Sequence, residues 1–387
     1  MIYFLSHPIQ YFSPLFKKLS ETIPLKVYYY SNASIKGGLD VGFATNVKWD
    51  LPLLEGYESE FLANWKQVRQ LNNHFWDVFN PSVVKKIWKS NDKIVVVNGW
   101  SYSSNVMVML FAKLFGKKIW LRAENPLHQE LKSSKRVLLL KKIILKHILF
   151  RFFIDKVLYI GSQNKAFYHF YGISDEKRYV FTPYAVDNTR FANEFARLKP
   201  ERDSIKLSLG MPLEKKVVLF SGKYIDKKRP IDLLEAFAKM ENKDLILIFM
   251  GEGFLRYEME ELMKRYGLGN VILTGFVNQS QVSKYYTIAD VFVMCSGSGE
   301  TWGLAVNEAM NFGLPIVVSD TTGCSFDLVK AGINGYVYSE GDTQELANCL
   351  TKIVSNNSLL QRMGANSLEI INQYSIDVIA ENIAKAI

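Results

Sequence analysis

The sequence predicts an α/β protein with two doubly wound, Rossmann-like domains, and two observations carry that prediction. Strand-like runs of apolar residues alternate with helical stretches through both halves of the chain, as in parallel sheets that are covered by helices. The 387 residues, of which 48% are hydrophobic, provide enough chain and enough apolar surface for two buried cores.

The first half, residues 1–186, is expected to form the N-terminal domain. Its predicted strands are residues 1–6, 26–30, 93–97, 118–121 and 156–160. A long helical stretch is predicted over residues 132–153. The run from Tyr179 to Phe181 also resembles a strand, and the polar, proline-containing stretch that follows it is expected to link the two domains.

The second half is expected to form the C-terminal domain over residues 187–365. Its predicted strands are residues 216–221, 245–250, 271–274, 291–294 and 315–319. Helices are predicted to begin near Pro230, Phe254, Gln279, Leu304 and Thr343. A last helix is predicted over residues 359–387, beyond the second sheet.

The net charge of +9 is distributed unevenly. Residues 1–186 hold 26 Lys/Arg and 13 Asp/Glu, a net +13, whereas residues 187–387 hold 21 and 25, a net −4. Such a basic half fits an anionic membrane surface or an acidic acceptor. Nucleic acid is the rival partner, but the sequence carries no helix-turn-helix, zinc-finger or RNA-binding signature, so we expect none.

The three cysteines and the N-terminus bear on the compartment. Cys295, Cys324 and Cys349 lack metal-ligand spacing, and an odd number of cysteines favours free thiols in a reducing cytosol. The N-terminal residues lack the basic region and the cleavage site of a signal peptide. No run of 18 uncharged apolar residues predicts a membrane-spanning helix. We therefore expect a cytoplasmic protein.

A segment from Gly299 to Met310 carries two glutamates, Glu300 and Glu308. Strand-like runs precede and follow it, so its loop and the helix predicted from Leu304 are expected at the carboxyl edge of a parallel sheet. Open α/β sheets bind their ligands at that edge. Backbone N–H groups at the start of a helix can hold a phosphate, and carboxylates can accept hydrogen bonds from sugar hydroxyls.

This segment and its flanks resemble the retaining glycosyltransferases of family 4, whose signature is two glutamates separated by seven residues. The match extends, in the family's order, over residues 220–223, Lys228, residues 275–277, Tyr285, residues 289–290 and residues 313–317. The resemblance is strong from about Phe220 to Asp342 and mainly architectural before that. It implies the GT-B fold, in which two Rossmann-like domains face each other across a cleft. It also implies that a C-terminal helix, here residues 366–387, packs back on the N-terminal domain.

The resemblance implies a donor site for a nucleotide-diphosphate sugar, with no further cofactor. The residues expected to bind the donor are Gly222, Lys223, Lys228, Phe276, Val277, Gly303, Leu304 and Glu308. The two lysines would hold the diphosphate, although the family usually has arginine at the position of Lys223. Phe276 and Val277 would border the base, the N–H groups of Gly303 and Leu304 would contact the diphosphate, and Glu308 would bind the ribose.

The residues alone also permit plainer interpretations of these positions. Lys223, Lys227, Lys228 and Arg229 are typical of a solvated basic loop. Glu308 is equally typical of an exposed helical glutamate, and Thr301 of an ordinary helix cap. The turn of Gly251, Glu252 and Gly253 either approaches the donor or only joins a strand to a helix.

The expected catalytic residues are Glu300, Glu124, His128 and His7. By the resemblance, Glu300 would contact the donor sugar or stabilise charge that develops on it. In the N-terminal domain, Glu124 occupies the place of a histidine that many family members have near the reacting carbon, so it is the first candidate there and His128 the second. A carboxylate there can stabilise an oxocarbenium-like state or take the acceptor proton. His7 follows the first strand and is as readily structural as catalytic. No Asp-x-Asp metal motif is present, and no metal site is expected.

Residues 132–156 interleave Lys and Arg with bulky apolar side chains at roughly helical spacing. That pattern is typical of a helix that lies in a membrane interface, and also of a core helix with a basic solvent face. The basic N-terminal half favours the membrane. We therefore expect peripheral binding to the cytoplasmic face of an anionic membrane.

The resemblance to family 4 implies a retaining, metal-independent, hexosyltransferase-like enzyme. It would transfer a sugar from a nucleotide-diphosphate sugar to a glycan or a lipid-linked acceptor in surface polysaccharide or glycolipid biosynthesis. Two alternatives stay open at this point. One is a GT-B sugar-nucleotide epimerase or phosphorylase, and the other is a GT-B binding subunit without catalysis.

Overall fold

The structure, a computed structural model, describes residues 1–40, 42–65 and 74–387. The chain separates into two compact units. The first unit comprises Met1–Gly37, Leu51–Pro183 and Ile376–Ile387. The second unit comprises Gly38–Asp50 and Tyr184–Ser375.

Strands and helices alternate along most of the described chain. The strands are β1 (Ile2–Leu5), β2 (Lys26–Tyr29), β3 (Gly38–Asp40), β4 (Thr45–Val47), β5 (Glu58–Phe61), β6 (Ile94–Asn98), β7 (Lys118–Arg122), β8 (Lys156–Tyr159), β9 (Tyr179–Phe181), β10 (Lys216–Ser221), β11 (Leu245–Met250), β12 (Val271–Leu273), β13 (Val291–Met294), β14 (Ile316–Ser319) and β15 (Gly335–Tyr338). The α-helices are α1 (Ser13–Ser20), α2 (Ala33–Lys36), α3 (Ser82–Lys89), α4 (Ser103–Leu114), α5 (Leu127–Glu130), α6 (Lys135–Ile144), α7 (Ser162–Phe170), α8 (Asn188–Leu198), α9 (Arg202–Ser208), α10 (Pro230–Lys239), α11 (Arg256–Tyr266), α12 (Val282–Ile288), α13 (Leu304–Met310), α14 (Ser325–Leu328), α15 (Thr343–Val354), α16 (Asn357–Ile371) and α17 (Ile376–Ala386). A π-helical segment, Leu145–Phe153, continues α6, and short 3₁₀ turns cover Glu176–Arg178, Lys199–Glu201 and Asp226–Lys228.

The first unit contains a parallel sheet in the order β5-β2-β1-β6-β7-β8-β9. Ile2 of β1 pairs with Lys26 on one side and with Val95 on the other. All four residues of β1 are buried, as is usual for a parallel strand that is covered on both faces by helices. The order reverses between β1 and β6, which makes this sheet doubly wound.

The second unit contains a parallel sheet in the order β12-β11-β10-β13-β14-β15. Val218 of β10 pairs with Leu247 of β11 and with Val291 of β13. The chain first builds outward from β10 through β11 and β12, then returns to the other side of β10 with β13. The sheet therefore has its topological switch point between β10 and β13, and open α/β sheets bind ligands at such a point.

The predicted fold class is confirmed, since both halves form parallel sheets that carry helices. Every strand predicted from the sequence is present, with bounds that shift by no more than two residues. The helical prediction over residues 132–153 corresponds to α6 and the π-helical segment. The short strands β3, β4, β5 and β15 were not predicted.

The single last helix predicted over residues 359–387 is wrong, because the chain breaks between α16 and α17. The Asn188 amide donates to the carbonyl oxygens of Ile371, at 3.2 Å, and Tyr374, at 3.4 Å. Val186 forms a β-bridge with Ser375. These contacts take up backbone groups that a continuous helix would have paired internally.

Helix α17 belongs to the first unit, where it packs against α1 and β9. Two hydrogen bonds to the first sheet hold it. The Asn382 amide donates to the carbonyl oxygen of Phe181, at 2.9 Å. The Lys156 ammonium donates to the carbonyl oxygen of Ala386, at 2.7 Å.

A hairpin of β3 and β4 belongs to the second unit, although its neighbours in sequence on both sides belong to the first. Its antiparallel register pairs Gly38 with Val47 and Asp40 with Thr45. Nothing in the sequence analysis anticipates this assignment.

Among the described residues, no helix is long and apolar enough to cross a membrane. The cysteines Cys295, Cys324 and Cys349 are free, and the first two are buried.

Candidate functional site

The switch point of the second sheet brings the loops after β10 and β13 to one edge. The loop after β10 carries Lys223 and Lys228, and the loop after β13 carries Glu300. Because the two strands are parallel neighbours, both loops leave the sheet at its carboxyl edge. Residues separated by more than 70 positions in sequence thus meet.

Lys228 and Glu300 form the central ion pair of this edge, with 2.5 Å between Nζ and Oε2. Both side chains are largely buried, with exposed fractions of 17% and 11%. Burial alone would raise the pKa of the Glu300 carboxyl, but the charges of Lys228 and Lys227 outweigh it and hold that pKa below its usual value. Glu300 is therefore an anion at neutral pH.

Lys227 ties the same two loops together. Its carbonyl oxygen accepts from the N–H of Gly297, at 2.8 Å. Its ammonium donates to the carbonyl oxygen of Gly299, at 3.1 Å, and lies 3.7 Å from the Glu300 carboxylate. Two lysines thus face one carboxylate, which leaves a net positive charge of the kind that a diphosphate requires.

Glu308 lies in α13 with only 3% of its surface exposed. Tyr286 donates its hydroxyl to Oε2, at 2.7 Å, and Gln279 donates its amide to Oε1, at 3.2 Å. Arg190 in turn holds Gln279 by donating to its side-chain oxygen, at 3.0 Å. The interpretation of Glu308 as an exposed helical glutamate is therefore wrong, because a buried hydrogen-bond network fixes its carboxylate.

Gly303 is the N-cap of α13, with a φ of +103°. A Cβ at this position would lie 2.5 Å from the sulfur of Met294, so a larger residue would displace that side chain, and the positive φ itself favours glycine. The helix begins at Leu304 and has seven residues. The interpretation of Thr301 as its cap is wrong, since Gly303 occupies that position.

The turn of Gly251, Glu252 and Gly253 is explained by contacts inside the second unit. A Cβ on Gly251 would lie 1.9 Å from the carbonyl oxygen of Gly222, and one on Gly253 would lie 2.4 Å from that of Tyr224. Glu252 pairs with Arg256 at 2.9 Å. These contacts favour the interpretation as a strand-to-helix turn, and they also give Gly222 a close backbone neighbour.

Lys223 points at the β3–β4 hairpin. Its ammonium lies 2.7 Å from the Asp40 carboxylate and 4.7 Å from the centre of the Phe43 ring. Phe276 contacts the same hairpin, with its ring centre 5.0 Å from that of Phe43 and 6.1 Å from that of Trp49. Lys223 and Phe276, both predicted donor residues, therefore share one neighbour.

Val277 lies beside Phe276 on the rim of a surface cavity of about 650 Å³ within the second unit. Residues of α9, α12 and the loop after β12 line this cavity. Its lining contains neither lysine of the donor prediction nor either signature glutamate.

In the first unit, Arg122 ends β7 and is almost completely buried. Its guanidinium donates to the backbone and side-chain oxygens of Thr182, both at 3.0 Å. The candidate Glu124 lies two residues on, with its carboxylate 4.0 Å from the Arg122 Nε and 29% of its side chain exposed. Asn164 fixes this loop by donating to the carbonyl oxygen of Ala123, at 2.9 Å.

His128 and His7 lie in the same unit. The backbone N–H of His128, in α5, donates to the Gln163 side chain, at 3.0 Å. His7 follows β1, and its Nδ1 lies 2.9 Å from the Ser6 hydroxyl. Burial disfavours the charged ring and lowers the pKa of His7 to about 4. His7 is therefore neutral at physiological pH and can accept a proton only weakly.

The sequence analysis gave no site role to several residues that complete these arrangements. They are Asp40, Phe43, Trp49, Arg190, Gln279 and Tyr286. Lys227 was noted only as part of a basic run. Tyr286 adjoins the predicted Tyr285, but nothing in one sequence shows which of the two aromatic rings points to Glu308.

Among the described residues, no group of three His, Cys, Asp or Glu side chains is placed to hold a metal ion.

Comparison with known proteins relates this geometry to a family. Residues 201–369 match the family model described as Glycosyl transferases group 1. This segment is similar to group 1 glycosyltransferases. It contains β10 to β15 and both loops of the switch point, so the resemblance drawn from the sequence is confirmed for this part of the chain.

Two curated relatives illustrate the family. The uncharacterized glycosyltransferase MJ1607 of Methanocaldococcus jannaschii is 29% identical over 184 residues, 47% of this chain and 47% of the relative. The lipopolysaccharide core biosynthesis glycosyltransferase LpsE of Rhizobium meliloti is 28% identical over 178 residues, 46% of this chain and 51% of the relative. The chain thus spans about half the length of the curated relatives it matches.

Solved structures extend the likeness to nearly the whole chain. The structure of Anabaena Alr3699/HepE in complex with UDP and glucose matches with a TM-score of 0.71, over 99% of this chain and 98% of that chain. The sequences are 16% identical, so this likeness shows the fold alone. The fold is GT-B, as the sequence predicts.

Proposed function

We propose that the protein is a retaining glycosyltransferase that moves a sugar from a nucleotide-diphosphate sugar to a glycan or a lipid-linked acceptor. One observation carries the proposal, namely the buried Lys228–Glu300 ion pair at the switch point of a group 1 domain. It combines a cationic group for a diphosphate with an anionic group for a sugar.

The two charges suit the two ends of the donor. Lys228, together with Lys227, leaves a net positive charge beside Glu300 and can stabilise the diphosphate that leaves. The resulting prediction is activity without a metal ion. Because its pKa is lowered, Glu300 cannot supply a proton, but it can accept hydrogen bonds from the sugar hydroxyls or stabilise positive charge on the ring.

The proposed chemistry retains the anomeric configuration by a front-face step. The acceptor hydroxyl attacks the anomeric carbon on the face from which the diphosphate departs. The bond from that carbon to the phosphate oxygen breaks, the bond to the acceptor oxygen forms, and the acceptor proton passes to the departing diphosphate. Glu308 would bind the ribose. Tyr286 and Gln279 hold its carboxylate in place by hydrogen bonds, which supports a role in positioning the ribose.

The first unit would receive the acceptor. Glu124 is the stronger candidate to contact it, because its carboxylate is partly exposed and the loop beneath it is held by Arg122 and Asn164. His128 is the second candidate. His7, with a pKa of about 4, would line the site as a neutral side chain.

We further propose that helix α6 and the π-helical segment dock on an anionic membrane at the cytoplasmic face, where a lipid-linked acceptor is available. All ten residues of α6 are at least partly exposed. Leu139 and Leu140 are exposed by 62% and 60%, which is unusual for adjacent leucines. The lysines and arginines between the apolar side chains carry the positive charge that an anionic lipid surface attracts.

Flotation with anionic liposomes tests the membrane proposal. The double variant Leu139→Glu/Leu140→Glu should stay unbound where the wild type floats, because it places two carboxylates on the docking face. The variant Leu207→Glu is the matched control, since Leu207 is equally exposed, at 60%, but lies in the second unit. Equal flotation of the double variant and the control would contradict the proposal.

A panel of UDP-, GDP-, ADP- and TDP-sugars tests the transferase proposal. We expect the wild type to release nucleotide from one of these donors. The variant Glu308→Ala should lose this release, whereas the control variant Glu369→Ala, at an exposed position, should keep it. The anomeric configuration of the product, read by NMR, then tests retention. A product without an acceptor would indicate an epimerase, and dependence on inorganic phosphate would indicate a phosphorylase. Nucleotide binding without turnover, with every acceptor tried, would favour a binding subunit.

A further inference from the structure

The β3–β4 hairpin and its flanks cover two parts of the proposed donor site, and we call this segment, residues 38–40 and 42–50, the strap. In the chain it lies between elements of the first unit, yet it packs on the second. It contacts the loop after β10 through Lys223 and the loop after β12 through Phe276. Those two loops would hold the diphosphate and the base.

Asp40 is the acidic residue of the strap that pairs with Lys223. Its Oδ1 accepts from the backbone N–H groups of Gly42, at 2.9 Å, and Phe43, at 3.0 Å, and from the Lys223 ammonium, at 2.7 Å. A carboxylate oxygen on a lysine is the same kind of contact as a phosphate oxygen on that lysine. The strap therefore places an anion where the proposed function requires the donor's diphosphate.

The aromatic side chains of the strap cover the loop after β12, which would hold the base. Phe43 lies between Lys223 and Phe276, with its ring 4.7 Å from the ammonium and 5.0 Å from the Phe276 ring. Trp49 contacts Phe276 from the far end of the strap, at 6.1 Å. A nucleotide that approached Phe276 and Lys223 together would meet the strap at both contacts.

The contacts that hold the strap are ones that can open. The Lys223–Asp40 pair is 31% exposed on each side, and exposed pairs contribute little. The Asn278 amide donates to the carbonyl oxygen of Lys48, at 2.8 Å, and the Ser280 N–H to the Asp50 carboxylate, at 3.3 Å, both in exposed positions. Segments that are held by exposed contacts open locally at a low cost in free energy.

We propose that the strap is a self-inhibitory element, in which Asp40 occupies Lys223 in place of a donor phosphate and nucleotide binding displaces it. This rests on the proposed function, since it assumes that Lys223 belongs to the donor site. A nucleotide must then compete with Asp40. Its apparent affinity is the intrinsic affinity multiplied by the fraction of molecules in which the strap is open. For an exposed ion pair that penalty is about two- to five-fold.

The variant Asp40→Asn isolates the charge. An asparagine oxygen still accepts from the N–H groups of Gly42 and Phe43, so the turn is kept while the competition for Lys223 is weakened. Asp50→Asn is the matched control, because it removes the same charge from the strap at a site that contacts Ser280 and not Lys223.

Calorimetric titration with UDP, GDP, ADP and TDP is the test. Asp40→Asn should bind the preferred nucleotide about two- to five-fold more tightly than the wild type, and Asp50→Asn should bind it as the wild type does. Trypsin should cleave the wild type after the exposed Lys48 faster when that nucleotide is present, because the strap is displaced.

The outcomes separate this inference from the proposed function. Nucleotide binding that Asp40→Asn leaves unchanged or weakens, or cleavage after Lys48 that slows with nucleotide, would overturn the strap and leave the transferase proposal standing. Absence of nucleotide binding in both wild type and Asp40→Asn, each folded by circular dichroism, would overturn both. Binding by Asp40→Asn alone would support both.

Discussion

Replacement of Lys228 by methionine tests the electrostatics of the site through stability. Methionine keeps most of the length of the side chain but removes its charge, so the buried Glu300 carboxylate loses its nearest cation. The burial that raises the pKa of a carboxyl then acts with less opposition, since only Lys227, at 3.7 Å, remains. The variant should be less stable at neutral pH, where Glu300 stays charged.

The size of the loss follows from the geometry. Removal of one partner of a buried pair costs about 3–5 kcal/mol. The two side chains here are 17% and 11% exposed and a second lysine is present, so we expect about 2 kcal/mol. For a unit of roughly 200 residues, that corresponds to a melting temperature lower by about 4–8 °C.

The difference in stability between the wild type and Lys228→Met should depend on pH. In the wild type the pKa of Glu300 is lowered on folding, so the stabilisation is present above the unfolded carboxyl pKa and is lost as the pH falls through the folded value. The variant lacks most of this stabilisation at any pH. The gap between the two proteins should therefore be widest near pH 7 and should narrow towards pH 4.

Scanning calorimetry of wild type and Lys228→Met at pH 7, 5 and 4 measures that gap. Lys264→Met is the control, because Lys264 pairs with Glu261 in an exposed position and its loss should leave the melting temperature unchanged. A Lys228→Met variant as stable as the wild type at pH 7 would refute the reasoning. So would a gap that stays constant with pH.

Three further outcomes are expected. Gly251→Ala should lower the free energy of unfolding by about 3 kcal/mol, the upper end of the usual cost of overpacking, because its Cβ would meet the Gly222 carbonyl oxygen at 1.9 Å; urea unfolding measures this, and a loss below about 1 kcal/mol would contradict it. His7→Gln should lose less stability than the wild type between pH 6.5 and 4, because burial lowers the His7 pKa to about 4 and the unfolded ring takes up its proton first; parallel denaturation profiles would contradict this. Tyr286→Phe should weaken nucleotide binding about three- to ten-fold by removing a hydrogen bond that positions Glu308, without the loss of binding expected of Glu308→Ala; equal binding by Tyr286→Phe and wild type in calorimetry would count against a positioning role.

The fold could be predicted because its strands carry their own signal. Runs such as Leu245 to Met250 are buried throughout, and a strand that is covered on both faces is apolar at every position. The short β15 is different. It begins at Gly335, and its next two residues, a tyrosine and a valine, are only half-buried. Its place in the sheet comes from pairing with β14 and not from a local pattern.

The ligand-facing loops could be predicted only in part. The resemblance drawn from the sequence singled out Lys228, Glu300 and Glu308, and the fold brings the first two into contact. Tyr286 and Gln279, which hold Glu308, reach it through packing that one sequence does not record.

The strap could not be predicted because its partners are distant in the chain. Asp40 and Lys223 are 183 residues apart. The residues between Gly38 and Asp50 show neither strong hydrophobic periodicity nor a turn motif that would single them out. Position in the sequence placed them with the first domain, whereas their contacts place them in the second unit.

We expect a nucleotide-diphosphate sugar to bind at the loops that follow β10 and β13. Hydrogen exchange read by mass spectrometry, with and without the nucleotide that binds most tightly, tests this directly. We expect slower exchange of the amides in residues 222–228 and 299–308, together with faster exchange in residues 38–50. Protection that falls outside those two loops, with residues 222–228 and 299–308 unchanged, would contradict it.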